Sequence, residues 1–162
     1  LPANVSRHTA AAYRLHLADL ADDSWASGIE RSFAGAVSAL AIHHLSDDRE
    51  RELYQEIFER LVPGGLFLNN DIVAQPLALK PQYETLMLRT IQDQDRLKRG
   101  RERNLADIQA EMREQLRLAG EEHQSHIAAL PDQLRWIEEA GFTSVECHWK
   151  YLDFAVFGGV KA

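Results

Sequence analysis

The sequence predicts an open α/β sheet, mostly parallel and flanked by helices. Three observations lead there. Phe33–Ile42, FAGAVSALAI, is an almost unbroken apolar run of strand length. After it comes a helical apolar stripe, a Pro-Gly-Gly stop and a second apolar run, LFLNNDIV. The chain then closes with a short helix and two strand-like segments, the last carrying Gly158-Gly159. Strand, helix, tight turn and strand is the rhythm of an α/β sheet.

Taken in order, Tyr13–Leu20 alternates Tyr13, Leu15 and Leu17 against Arg14 and His16, which reads as a strand ending near Asp19. Residues 21–32 are small and acidic, a connection. Phe33–Ile42 reads as a strand buried on both faces. In 47–61, Asp47 and Glu50 have capping-box spacing, and Leu53, Tyr54, Ile57, Phe58 and Leu61 make one stripe. Leu66–Val73 is a strand with a polar tip at Asn69, Asn70 and Asp71. From Pro76 to about His126 the stripes Tyr83, Leu86, Met87, Ile91 and Leu105, Ile108, Met112, Leu116 predict two amphipathic helices, joined by a basic, solvated segment at 96–103. Pro131–Ala140 is a helix stopped by Gly141. Thr143–Leu152 is a half-buried strand with Val145, Cys147 and Trp149 inward. Phe154–Val160 is a last strand, where Gly158-Gly159 marks a close backbone approach or a bulge.

Composition narrows the function classes. The chain has 162 residues, 45% apolar and 27% charged, which suits one globular domain and excludes a disordered chain or a rod. A net charge of −7 gives little attraction to nucleic acid or anionic lipid. No apolar run approaches the roughly 18–20 residues that span a bilayer. The one cysteine, Cys147, supplies neither an internal disulfide nor a thiolate cluster, and the opening residues lack a secretory pattern, so a cytoplasmic setting is expected.

Three stretches in order, HLADLADDSW, FAGAVSALAIHHL with its helix and RLVPGGLFLNND, and LPDQLRWIEEAGFTSVECHWKYLDFAVFGGVKA, resemble the carboxyl-terminal portion of a class I S-adenosylmethionine-dependent methyltransferase. The resemblance implies a Rossmann-like methyltransferase sheet, mostly parallel with a terminal antiparallel hairpin. It implies that Asp19 ends the family's third strand and, with the Leu20 amide, holds the adenine of S-adenosylmethionine. It also implies that Ser38, Ala39 and Leu40 approach cofactor and substrate. The family's E/D-x-G-x-G-x-G loop has no counterpart, since the first thirty residues hold one glycine, Gly28. The expectation is therefore one domain over 1–162, incomplete at its N-terminus, with residues 77–126 as a helical insert and substrate lid. Phe33–Ile42 would then be an unpaired sheet edge, open to pairing with a second copy.

Each candidate has a plainer reading. Asp19 could cap a local turn, and Ala39 could serve strand packing alone, whereas a Ser38 hydroxyl in so apolar a run needs a partner. His43 and His44 are the candidates for a general base, because imidazole exchanges protons near neutral pH; either could instead cap the next helix. Their side chains diverge, which disfavours shared metal ligation, and Asp19, Asp22 and Asp23 lack the pattern of a calcium loop. The function expected is methyl transfer to a small-molecule acceptor, with no nucleic-acid or membrane partner. A non-catalytic association domain of the same fold is one alternative. A nicotinamide-dependent oxidoreductase is another, disfavoured because no tyrosine-x-x-x-lysine pair is present.

Overall fold

The computed structural model describes residues 14–29, 32–119 and 127–162. Its centre is a four-stranded open sheet of β1 (Phe33–Ala39), β2 (Leu61–Ile72), β3 (Thr143–Tyr151) and β4 (Phe154–Val160), in the order β1-β2-β4-β3. β1 runs parallel to β2; β4 runs antiparallel to both β2 and β3. The helices are α1 (Asp47–Arg60), α2 (Lys80–Arg99), α3 (Leu105–Ala119) and α4 (Leu130–Glu139). The mixed α/β architecture, the parallel pair and the terminal hairpin are those the sequence predicts, but the described sheet is not mostly parallel: of its three pairings, β1–β2 alone is parallel.

α1 begins at Ser46, whose hydroxyl accepts from the Arg49 amide at 3.4 Å, so the cap lies one residue before the predicted Asp47. It buries Leu53, Tyr54 and Ile57. The helix ends at Arg60 because Leu61 is already extended, before the Pro63-Gly64-Gly65 that was expected to stop it. That tripeptide instead loops out within β2: Phe33 pairs with Leu61 but Gly35 pairs with Leu66. Gly64 has φ 78°, which a side chain resists.

One face of the sheet is covered. Phe67, Asn69, Asp71 and Val73 alternate along β2 and its exit and are all buried, while Leu66 and Asn70 on the other parity are exposed. Phe67 and Val73 join Tyr54 and Ile57 of α1, Trp136 and Ile137 of α4, Phe142, and Ala155 and Phe157 of β4 in a common core. Trp136 and Phe157 are 3% and 0% exposed there. Gly158 is where β4 and β2 meet closely: a Cβ there would lie 1.9 Å from the Phe67 carbonyl oxygen.

Four expectations need correction. Residues 14–20 form no strand; turns and side-chain bonds hold the segment, and Leu15 and Leu17 are exposed. Among the described residues they have no strand beside them, and alternation without a neighbour leaves no ladder to form. Tyr13 lies outside the described residues. β1 is not buried on both faces: Ala36 and Ser38 are half-buried, but Val37 is 79% exposed, because β1 is the outer strand of the sheet. Cys147 and Trp149 are exposed rather than inward. They lie on β3, the opposite outer strand, whose pairing with β4 shifts register between Thr143 and Glu146 and again between Cys147 and Trp149. Lastly, the basic segment is not simply solvated. Buried Asp95 accepts from Arg99 at 2.7 Å and Arg103 at 3.2 Å around left-handed Gly100. Burial alone would push the Asp95 carboxyl up; the two guanidinium groups hold it below the usual range.

Candidate functional site

The carboxyl ends of parallel β1 and β2 lie side by side, with Ser38 opposite Asn69 and Ala39 opposite Asn70. Clefts at such strand ends are where open α/β sheets take ligands. Leu40 follows with its amide donating to the Asn70 carbonyl at 2.9 Å and with φ 51°, a left-handed conformation that is strained for leucine. The chain then enters a single 3-10 turn, Ile42–His44.

This turn is pinned by Asp71. One carboxylate oxygen accepts from the Ile42 amide at 3.0 Å and the His43 amide at 3.2 Å. The other accepts from the Ile72 amide at 2.9 Å and meets Nδ1 of His43 in a short contact. Asn69 Nδ2 lies 3.4 Å from the first oxygen. A carboxylate accepts, so Nδ1 carries the proton and the imidazole lone pair sits on Nε2. The two histidines predicted from sequence thus separate. His43 is buried, anchored to a buried acid; His44 is exposed, its ring centroid 4.0 Å from that of His43.

Behind Asp71 the polar groups continue into the core. Glu50 and Tyr54 of α1 and Gln133 of α4 are all buried. Gln133 donates to Glu50 and accepts from the Tyr54 hydroxyl, both at short range. Burial, above all, pushes the Glu50 carboxyl up to about 8, with Asp47 and Asp71 adding repulsion and the Gln133 amide opposing.

Asp19 and Leu20 lie on the loop that Arg49, in the first turn of α1, reaches. The Asp19 carboxylate accepts from the Ala21 amide at 2.9 Å, a local turn, and the residue remains exposed. The Leu20 carbonyl accepts from Arg49 Nε at 2.8 Å. Arg49 also binds Glu56, which takes the Trp25 indole proton, so α1 holds the 19–25 loop in place.

As site residues, sequence reasoning missed Asp71, Asn69, Glu50 and Gln133: Glu50 read as half of a capping box, and Asn69 and Asp71 as a strand tip. The signal available was parity: both fall in step with Phe67 and Val73 on the covered face.

No family model and no curated protein matches the sequence. Solved structures do match. S-adenosylmethionine-dependent methyltransferase SibL, in its apo form, aligns with TM-score 0.56 and 19% identity over 91% of this chain and 35% of its own. An O-methyltransferase family protein from Burkholderia thailandensis aligns with TM-score 0.53 and 13% identity over 89% of this chain and 34% of its own. PigF, solved with SAH, gives TM-score 0.52 and 12% identity over 89% and 34%. The fold is methyltransferase-like. At these identities the likeness is one of fold, and the chain spans about a third of the length of the structures it matches. Among the described residues, no helix is long and apolar enough to cross a membrane.

Proposed function

We propose that the chain is part of an S-adenosylmethionine-dependent methyltransferase acting on a small molecule, with His43 as the base that takes the acceptor's proton. The observation that carries the reading is the His43–Asp71 pair, set at the carboxyl ends of two parallel strands in a methyltransferase-like sheet. The neighbours' names supply the cofactor class: SibL is described as S-adenosylmethionine-dependent, and PigF was solved with SAH.

The residues present suit the adenine end of such a cofactor. Asp19 presents an exposed carboxylate, beside a backbone segment that Arg49 fixes through the Leu20 and Asp22 carbonyls. Ser38, Ala39 and Leu40 offer a short-chained strand end along which the rest could lie. When bound, the cofactor supplies an electrophilic methyl group on a sulfonium. This chain's residues then have three tasks: alignment of the acceptor, exclusion of water and removal of a proton. Asp71 keeps the His43 ring in one tautomer and stabilises the imidazolium that proton uptake creates. His44, exposed on the same turn, faces the acceptor, and the α2–α3 insert forms its lid.

The reading is tested in the protein that carries this segment at full length, by methyl-transfer kinetics alongside calorimetric titration with S-adenosylhomocysteine. His43→Gln is expected to lower turnover by about 10²-fold or more with S-adenosylhomocysteine affinity unchanged. Asp19→Ala is expected to weaken that affinity by about 1–3 kcal/mol. A His43→Gln protein of full activity removes the base. No binding of S-adenosylhomocysteine by the wild type removes the enzyme reading and favours the association domain.

A further inference from the structure

A continuous row of buried polar side chains crosses three elements and ends at His43. It starts at Glu50 on α1, whose carboxyl oxygen accepts from the Gln133 amide of α4. The Gln133 carbonyl oxygen accepts from the Tyr54 hydroxyl. Asn69 of β2 neighbours that hydroxyl, and its amide nitrogen lies 3.4 Å from an oxygen of Asp71, which holds the His43 ring. All six are buried, Glu50 and Tyr54 at 0% exposure and His43 at 7%.

Such a row is costly as packing. Glu50 Oε1 and Asn69 Oδ1 are buried with no hydrogen-bond partner, and leaving such atoms unpaired is unfavourable. Apolar side chains of similar size at these places would fill the same α1–α4–β2 junction without that cost. The row does supply orientation. Gln133 spends its amide as one donor and one acceptor, so the Glu50 and Tyr54 ends are not interchangeable. Asn69 in turn lies against the Asp71 oxygen that accepts from the Ile42 and His43 amides. Held mainly protonated at neutral pH by its burial, Glu50 completes the row without setting a second full charge beside Asp71.

We propose that Glu50, Gln133 and Tyr54 are positioning residues for His43, holding Asp71, and through it the imidazole, in one orientation and one tautomer. The consequence for catalysis rests on His43 being the base. The orientation itself does not, so it is read without cofactor or acceptor.

The test is ¹⁵N NMR of the imidazole nitrogens in the full chain, with the His43 signals assigned by their loss in His43→Gln. The wild type is expected to show well-separated Nδ1 and Nε2 resonances of one tautomer. Gln133→Leu and Tyr54→Phe are expected to draw the two resonances toward a tautomer-averaged position. Glu50→Gln, which keeps an acceptor for the Gln133 amide, is expected to preserve the wild-type pattern, whereas Glu50→Leu loses it. Tyr54→Phe removes one hydroxyl only and decides the matter where Gln133→Leu does not fold. Ile57→Val, a core change outside the row, is expected to leave the pattern intact. An unchanged His43 spectrum in folded Tyr54→Phe, or an equal change in Ile57→Val, overturns the proposal. Because no ligand is present, either result stands apart from success or failure of the methyltransferase reading.

Discussion

β1 and β2 are neighbours in one sheet and have opposite fates. FAGAVSA of β1 is almost wholly apolar, yet Phe33 is 44% and Val37 79% exposed. The end of β2 carries Asn69 and Asp71, and both are 1% exposed. Val37 pairs with Leu68, so the contrast arises at one level of the sheet, a single strand apart. Burial here is decided by what lies over a strand more than by its own composition. α1 and α4 cover the odd-numbered face of β2, while among the described residues β1 has a strand on one side only. Apolar content states what a strand needs. Cover is given by elements far away in sequence.

The sharpest way to break that comparison is a pair of glycines. A Cβ on Gly158 would stand 1.9 Å from the Phe67 carbonyl oxygen, so β2 and β4 must move apart inside the core. Gly158→Ala is expected to cost about 4 kcal/mol or more, in the range reserved for severe core strain. A Cβ on Gly35 of β1 would meet the Leu66 carbonyl oxygen at 3.4 Å, an ordinary contact. Gly35→Ala is expected to be neutral, or to stabilise by about 0.4–1 kcal/mol through the unfolded chain. Urea unfolding midpoints compare the two; similar costs at both sites would mean that β1 is as tightly seated as β4.

The buried side also carries a titration that the exposed side does not. Glu50 rises from its ordinary 4.5 to about 8 in the folded state. Between those values the folded chain holds a proton that the unfolded chain has lost. Stability therefore falls as pH rises through this window, by up to about 1.4 kcal/mol per pH unit, and levels off above the folded value. Glu50→Gln abolishes the slope, so its advantage over the wild type grows with pH to a few kcal/mol, on the order of 3, near pH 8. Unfolding midpoints at pH 5, 6.5 and 8 read this directly; parallel curves for the two proteins would mean that Glu50 ionises freely.

The same contrast explains what was legible in the sequence. Helix α1, β2, α4 and the glycine-marked β4 were readable because each combines a strong period with a local stop or a close approach: Leu53, Tyr54 and Ile57 at helical spacing, Gly158 where two backbones meet. The expected strand at 14–20 and the inward placement of Cys147 and Trp149 on β3 fail for a shared reason. Alternation in Leu15 and Leu17, or in Cys147 and Trp149, states a preference that needs a neighbour and a cover, and the described structure supplies neither in full. In the candidate site, the two histidines were visible as residue types. The geometry that separates them comes from Asp71, 28 positions away in the chain. Glu50 and Gln133 are 83 positions apart, and nothing local marks either as buried, since residues of these types most often lie at the surface.

The smallest effect on stability, and the one that bears most directly on β1, concerns Val37. Its side chain is 79% exposed in the middle of an outer strand, with Phe33 and Leu40 also largely open. An outer strand of this kind pairs readily with another chain, and lysine is the residue that natural sheets place there to prevent it. We expect the 162-residue chain, made by itself, to self-associate, and Val37→Lys to shift it toward monomer in sedimentation velocity. Because Val37 is so exposed, the unfolding midpoint should stay within about 0.5 kcal/mol of the wild type. The two readings together separate the causes. A monomer gained without lost stability locates the association at β1, whereas a monomer gained only by unfolding would place Val37 in the core. A wild-type chain that sediments as a monomer at high concentration would mean that β1 is covered in solution, and the contrast with β2 would close.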